Sequence, residues 1–253
     1  MNRSTTHEAL VLSVRLSGES NREAVFLTGD SGLMRATVFG GPKSRLRAYV
    51  APYHSGELLI YRDPVKDYRK VTDFTVRHWR PGIREALERS YAAAAVAETA
   101  IASHGGGGSW QEALGLCSET LDAADAASEA ECPSVLVRFL WKWAELLGAR
   151  PDIDSCDDCA CIPADDEVVL YSRREGTLRC RHCAGNREAA DAVSVGPGAR
   201  SWLRAVDRAD ARTSLRIGAD PVSLRQAREL ALLVAEGAVG TRLKTWNILG
   251  GTR

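Results

Sequence analysis

Two Cys-x2-Cys pairs, Cys156/Cys159 and Cys180/Cys183, stand 20 residues apart, and no other feature so narrows what this chain can fold into. Each pair makes a tight knuckle that presents two sulfurs to one ion, and two knuckles complete a tetrahedral S4 site. Between them, "EVVLYS" and "GTLRC" read as short strands and "RREG" as the turn of a hairpin that brings the knuckles together. Four protein ligands leave no place for water, so the favoured reading of 152–188 is a structural zinc-ribbon-like module. A catalytic zinc would keep one position open, and a redox dithiol or an iron–sulfur cluster also uses paired cysteines; these stand behind it as alternatives. Cys161 and His182 are alternative donors beside and inside the knuckles. Cys117 falls on an apolar helix face and reads as core, and Cys132 as a helix-entry residue.

The segments around this module have two different periods. Over 7–79 the apolar residues alternate in short runs: "ALVLSVRL", "REAVFLT", "LMRATVFG", "GELLIYR" and "KVTDFTV", parted by polar turns such as "GESN" and "GDSG". In the first run, Leu10, Leu12, Val14 and Leu16 are expected on one face and Val11, Ser13 and Arg15 on the other. Five short strands without a helix among them predict a small OB-fold barrel. After residue 80 the spacing turns helical. Trp110, Ala113, Leu114, Cys117 and Leu121 share one face, and Val135, Leu136, Phe139, Leu140, Trp143 and Leu147 another. Pro133 suits the start of the latter helix and Gly148 its end, while "HGGGGS" reads as a flexible loop. Beyond the cysteines, "ARSWLRAVDRA" opens on "GPG", and "SLRQARELALLVAEGAV" takes Ser223 as N-cap. The expected class is therefore α+β: a five-stranded barrel over 1–79, then a mostly helical domain over 80–253 that contains the metal module.

The start, "MNRSTTHEALVL", lacks an apolar leader core, and the most apolar run, "YAAAAVAETAIA", is interrupted by Glu98. The chain is expected to be cytoplasmic with no membrane partner. There, paired cysteines point to metal or redox work and not to a disulfide framework.

Net charge is zero, so no global field draws the chain to nucleic acid, but the charge is uneven. Residues 1–79 carry 12 Lys/Arg against 8 Asp/Glu, residues 80–150 carry 6 against 10, and the remainder is balanced. From Ser31 to Gly56 there is no acid, but there are Arg35, Lys43, Arg45 and Arg47, with Tyr49 and Tyr53 interleaved. That mixture suits phosphate contact with some base stacking. Arg62, Lys66, Arg69 and Lys70 form a second group, diluted by Asp63 and Asp67; Arg242, Lys244 and Arg253 form a third. The bland reading of each is a solvated loop.

No catalytic constellation stands against this. GxSxG and HExxH are absent. "FGGPKSR" has a Lys-Ser pair, but Pro42 lacks the N–H a phosphate cradle needs and no helix is expected after it. The five histidines are scattered. The chain is not expected to be an enzyme.

Put in order, these pieces resemble the RecO family of bacterial recombination mediators. "ALVL", "GESNRE", "GDSGLMRATVFGG" and "KSRLRAYVAPY" are similar to its N-terminal barrel, the cysteine module to its zinc element, and "LLVAEGAVGTRLKTWNIL" to its last helix, with Thr245 where serine is common. The resemblance spans nearly the whole chain. It implies a non-enzymatic, cytoplasmic and nucleoid-associated DNA-repair protein. Such a protein binds single- and double-stranded DNA and anneals complementary strands. It works with RecR, contacts the acidic C-terminal tail of single-strand-binding protein, and so helps load RecA. Carried over, it marks Arg35, Lys43, Arg45 and Arg47 first as DNA-binding residues, then Arg15, Arg22, Arg69 and Lys70. For the acidic tail it suggests the helix carrying Arg138 and Lys142 beside Phe139 and Trp143. Zinc is not universal in the family. A zinc-ribbon protein–protein adaptor without direct DNA binding is the competing reading.

Overall fold

A computed structural model describes residues 3–18, 20–41, 43–63, 65, 68–185 and 192–248. Pro42, Lys66, Asp67 and Arg253, and 186–188 of the cysteine segment, lie outside the described residues. The elements follow in the order β1 (Ser4–Ser17), β2 (Asn21–Thr28), β3 (Gly32–Val38), α1 (Arg45–Tyr49), β4 (Ser55–Asp63), β5 (Tyr68–His78), α2 (Leu87–Ala102), α3 (Trp110–Ala126) and α4 (Cys132–Leu146). Then come β6 (Val169–Ser172), β7 (Leu178–Arg179), α5 (Arg181–Ala184), β8 (Ala192–Val195), α6 (Pro197–Arg208), α7 (Ala211–Ser214), α8 (Pro221–Val239) and α9 (Lys244–Ile248). They group into two compact units, Met1–Glu129 with Leu243–Arg253, and Ala130–Arg242.

The first unit is built on a closed barrel of order β1-β2-β3-β5-β4, sealed by β1–β4 pairing, with β3 and β5 parallel. That is the OB-like barrel the alternation predicts. Its interior is Ala9, Val11, Ala24, Phe26, Met34, Ala36, Val38, Leu58, Ile60, Val71 and Phe74, with the two phenylalanine rings edge-to-face at 6.2 Å. The face assignment on β1 is corrected. A register shift between Val11 and Ser13 makes Leu12 an extra residue, so the inward set is Ala9, Val11 and Val14. Leu10 is buried on the outer side, and Leu16 is 73% exposed. The outer side is apolar because α2 and α3 pack on β1 and α3 on β2.

Two further expectations change. A short helix, α1, does follow Lys43; Leu46 and Tyr49 pack against the barrel core beside the fully buried Val50. The "HGGGGS" loop is partly packed, since a Cβ at Gly105 would meet Leu27 Cδ1 at 3.2 Å. Its five residues His104 to Gly108 all have positive φ, which the glycines adopt at low cost. Helix α9 completes this unit: the backbone N–H groups of Lys244 and Thr245 donate to the Glu98 carboxylate at 2.7 and 2.8 Å, and Leu243 and Trp246 are buried.

In the second unit α4 buries Val135, Leu136, Phe139, Leu140 and Trp143 and packs against α8 and α6. Asp220, not Ser223, caps α8: its carboxylate accepts from the N–H groups of Val222 and Ser223, with Pro221 filling the first turn. The three-stranded sheet runs β7-β6-β8. Arg200 is fully buried on α6 and donates to the carbonyls of Pro163, Ala164 and Glu167, pinning the strand leading into β6. No helix among the described residues is long and apolar enough to cross a membrane.

Candidate functional site

The second unit carries the cysteine cluster. The expected hairpin forms, with Leu170 opposite Arg179 and Tyr171 opposite Leu178. Asp157 ties the first knuckle to it through N–H to Leu178 O at 2.9 Å and carboxylate to Leu178 N–H at 2.5 Å. The first knuckle closes through Ala160 N–H to Cys156 O, with Ala160 held at φ 55°. The result brings the Sγ atoms of Cys156, Cys159, Cys180 and Cys183 within 4.8 Å of one another, with Cys159 and Cys180 3.9 Å apart. A tetrahedron with metal–sulfur bonds of about 2.3 Å has sulfur–sulfur edges of about 3.8 Å. The four donors thus fit one zinc-sized ion with movements of about 1 Å or less. All are soft sulfur donors, which select zinc or iron over calcium or magnesium.

The electrostatics support metal capture. Burial works to raise the Cys156 thiol, but backbone N–H groups of Cys180, Cys159 and Asp158 outweigh it and hold the pKa at about 6. The Cys161 N–H and the thiols of Cys161 and Cys183 also lower Cys159. Cys183 is raised, first by its contact with Cys159. The lowered Cys156 and Cys159 thiols thus give up their protons more readily than the raised Cys183, and a cation that joins them favours the thiolates. Cys161 lies outside the set of four. Its thiol is pushed up to about 12 by contacts with Cys159 and Cys180, and its carbonyl accepts the Cys156 N–H. Replacing Cys161 with Ser is expected to leave one chelator-resistant metal per chain, and Cys180→Ser to remove it, as measured by elemental analysis after dialysis against EDTA. Equal loss in both variants would sink the four-ligand assignment.

The first unit carries the cations. The β1–β2 turn, the exit of β3 and the start of β5 come together at one end of the barrel, because Leu16 pairs with Arg22, Arg22 with Val38, and Thr37 with Lys70. All eight DNA-binding candidates gather toward this end, on two surfaces. On the outer wall, Arg15, Glu23, Thr37, Lys70 and Tyr61 form one row across the five strands. Arg15 and Arg35 share Glu23 at 2.7 and 3.7 Å, and Lys70 lies 5.0 Å over the Tyr61 ring. Around the mouth, Arg22 donates to Arg47 O at 3.3 Å, and Arg62 stands directly opposite Arg69. Partial burial and Arg47 lower the Arg22 pKa, but guanidinium stays charged. Lys43 in the turn before α1, and Arg45 and Arg47 on it, flank the mouth, with Arg45 3.4 Å from Asp73. Exposed ion pairs of this kind contribute about 0–1 kcal/mol, so Arg15, Arg35 and Arg45 lose little by exchanging their carboxylate partners for a phosphate.

Sequence reading missed the apolar residues at this end. Leu16 is solvent-exposed, Phe39 is 43% exposed with its ring 6.1 Å from that of Tyr68 and tilted by 59°, and Val65 is 89% exposed. Phe39 sits in the acid-free window, which was the available signal. Tyr53 is half-buried and held by a left-handed backbone. The helix suggested for an acidic tail does not present a groove. Phe139 and Trp143 are fully buried, Arg138 donates to Ala209 O at 2.8 Å, and Lys142 pairs with Asp207 at 2.9 Å.

Comparison with known proteins matches these two halves in order. The "Recombination protein O N terminal" family model covers residues 1–78 and the "Recombination protein O C terminal" model residues 84–247. The chain is 29% identical to the DNA repair protein RecO of Rubrobacter xylanophilus over 190 residues, 74% of each chain. It is 24% identical to that of Syntrophus aciditrophicus over 258 aligned positions, covering 98% of this chain and 97% of the relative. To that of Maridesulfovibrio salexigens it is 23% identical over 204 residues, covering 79% and 81%. With both halves matched in sequence and the barrel and cysteine module in their expected places, the chain belongs to the RecO family.

Proposed function

We propose that this chain is a DNA-repair mediator that binds DNA without breaking or making covalent bonds. In this reading residues 1–79 are the DNA-binding domain and 80–253 the helical domain, with the 152–188 module held by structural zinc. The observation that carries the reading is the convergence of Arg15, Arg22, Arg35, Lys43, Arg45, Arg47, Arg69 and Lys70 toward one end of an OB-like barrel in a RecO-family chain. These cations meet phosphates along the backbone, which supplies affinity without sequence preference. A surface that holds two complementary strands and screens their charge accelerates annealing. Family membership supports RecR, the acidic tail of single-strand-binding protein and, through them, RecA as partners, in the cytoplasm at the nucleoid. Zinc in the second unit would hold the knuckles and the β6–β7 hairpin together, with no step of its own.

The test is anisotropy binding of a fluorescent single strand across a salt series, followed by annealing of complementary oligonucleotides. Saturable binding that weakens linearly on a log–log salt plot, with faster annealing, is expected. A folded, zinc-loaded protein that binds no DNA at low salt would shift the reading to a protein–protein adaptor.

A further inference from the structure

The cationic end continues along the barrel into an aromatic platform that the proposed function does not use. Helix α1 packs along β5: Arg45 reaches Asp73 in mid-strand, and Tyr49 meets Trp79 just past its end. Trp79 is 45% exposed. Tyr49 stands edge-on to it at 5.3 Å and 86°, and His54 at 4.9 Å and 65°. The Arg45 guanidinium lies over the Tyr49 ring, 5.2 Å from its centre. His54 Nδ1 donates to Tyr49 O at 2.9 Å, and its Nε2 accepts from Arg84 at 3.2 Å, which makes it the neutral tautomer.

Hydrogen bonds hold this arrangement against backbone strain. Tyr53 and Arg80 both have left-handed φ, 73° and 47°, which non-glycine residues adopt at a cost. The Arg80 guanidinium is buried and donates to Tyr53 O at 2.6 Å, to Ser55 Oγ at 3.1 Å and to Asp122 at 2.7 Å. Turning Arg80 inward leaves its neighbour Trp79 outside, between the exposed Arg45 and Arg84. From Lys70 to Trp79 is about 30 Å of strand, within reach of the roughly 4–16 nucleotides an OB barrel takes up.

We propose that Trp79 is a stacking site for an unpaired nucleobase, so that the barrel grips a single strand by an interaction that duplex DNA cannot offer. The cations on either side select a polyanion over a neutral partner, and a flat ring accepts any base. This rests on the DNA-binding reading and adds to it a strand-state preference.

The zinc-loaded full chain is titrated with oligo(dT) and with duplex at fixed salt, following anisotropy and tryptophan fluorescence. Trp79→Ala is expected to weaken oligo(dT) binding about five-fold or more, leave duplex binding within about two-fold, and keep the salt slope. Trp79→Phe is expected to retain most of the affinity but lose the fluorescence quenching seen in the parent. Parental oligo(dT) affinity in Trp79→Ala, equal loss on both DNAs, or quenching that survives Trp79→Phe overturns the proposal, including the case where Trp79→Ala loses only a protein partner. Failure of the parent itself to bind either DNA defeats the underlying reading instead.

Discussion

Removing the metal from the four-cysteine cluster will unfold the module around it. A closed zinc site of this kind contributes roughly 10 kcal/mol or more to the fold it organises, and little else closes the 156–183 loop. Its sheet has a two-residue strand, β7, and its knuckles are joined by a few polar contacts: the Asp157–Leu178 bonds, the Arg179–Asp158 ion pair at 2.8 Å and the Cys180 N–H to Cys156 Sγ bond at 3.3 Å. Without the ion, four sulfurs stand within 4.8 Å of one another with no cation to offset any thiolate among them. Treatment with a strong chelator, or Cys156→Ser, should therefore open 150–185 to limited proteolysis and lower the thermal midpoint. Zinc should restore both in the chelated parent but not in the variant. Acid acts in the same direction, because the ligands bind as thiolates and protons compete for them. A chelated chain with unchanged proteolysis would show that packing alone holds the knuckles.

Replacing Lys43, Arg45 and Arg47 together with Ala should give the largest loss of DNA affinity. Each phosphate contact adds about 0.7 to the salt slope for a single strand and about 0.9 for duplex. Loss of three flattens the slopes by roughly 2 and nearly 3. With the 1 M intercept unchanged, that is about a hundredfold for a single strand at 0.1 M salt. The fold should survive, since Lys43 and Arg45 are exposed and Arg47 receives its Arg22 bond on the backbone carbonyl. Arg225→Ala, an exposed cation in the other unit, serves as the control. A folded triple variant with the parental slope would move the interface off α1, leaving the outer wall of Arg15, Arg35 and Lys70 as the contact.

How far these sites could be read in advance depended on whether a local pattern carried them. The S4 cluster follows from spacing, because a knuckle is a short-range object and its hairpin lies between the two pairs. The barrel follows from alternation, but which side of β1 faces in does not. One extra residue at Leu12 reverses the parity, and α2 and α3 cover the outer side, so apolar residues occur on both faces. Helix α1 has five residues, too few for a 3.6-residue period to show. Asp220 outcompetes Ser223 as a cap because Pro221 fixes the first turn one residue later. Phe139 and Trp143 follow the helical spacing that marks core, and they are core. Trp79 left no local sign at all: its exposure depends on a left-handed turn at Arg80 and on partners at Tyr53, Ser55 and Asp122.

The place of α9 bears on how the chain is made. Glu98 on α2 accepts the N–H groups of Lys244 and Thr245, so the first unit takes its last helix from residues translated after all of Ala130–Arg242. Synthesis at about 5–20 residues per second leaves α2 waiting on the order of ten seconds for them. During that interval the nascent barrel unit exposes the surface that Leu243 and Trp246 later cover. The half of the molecule made first is thus the half finished last.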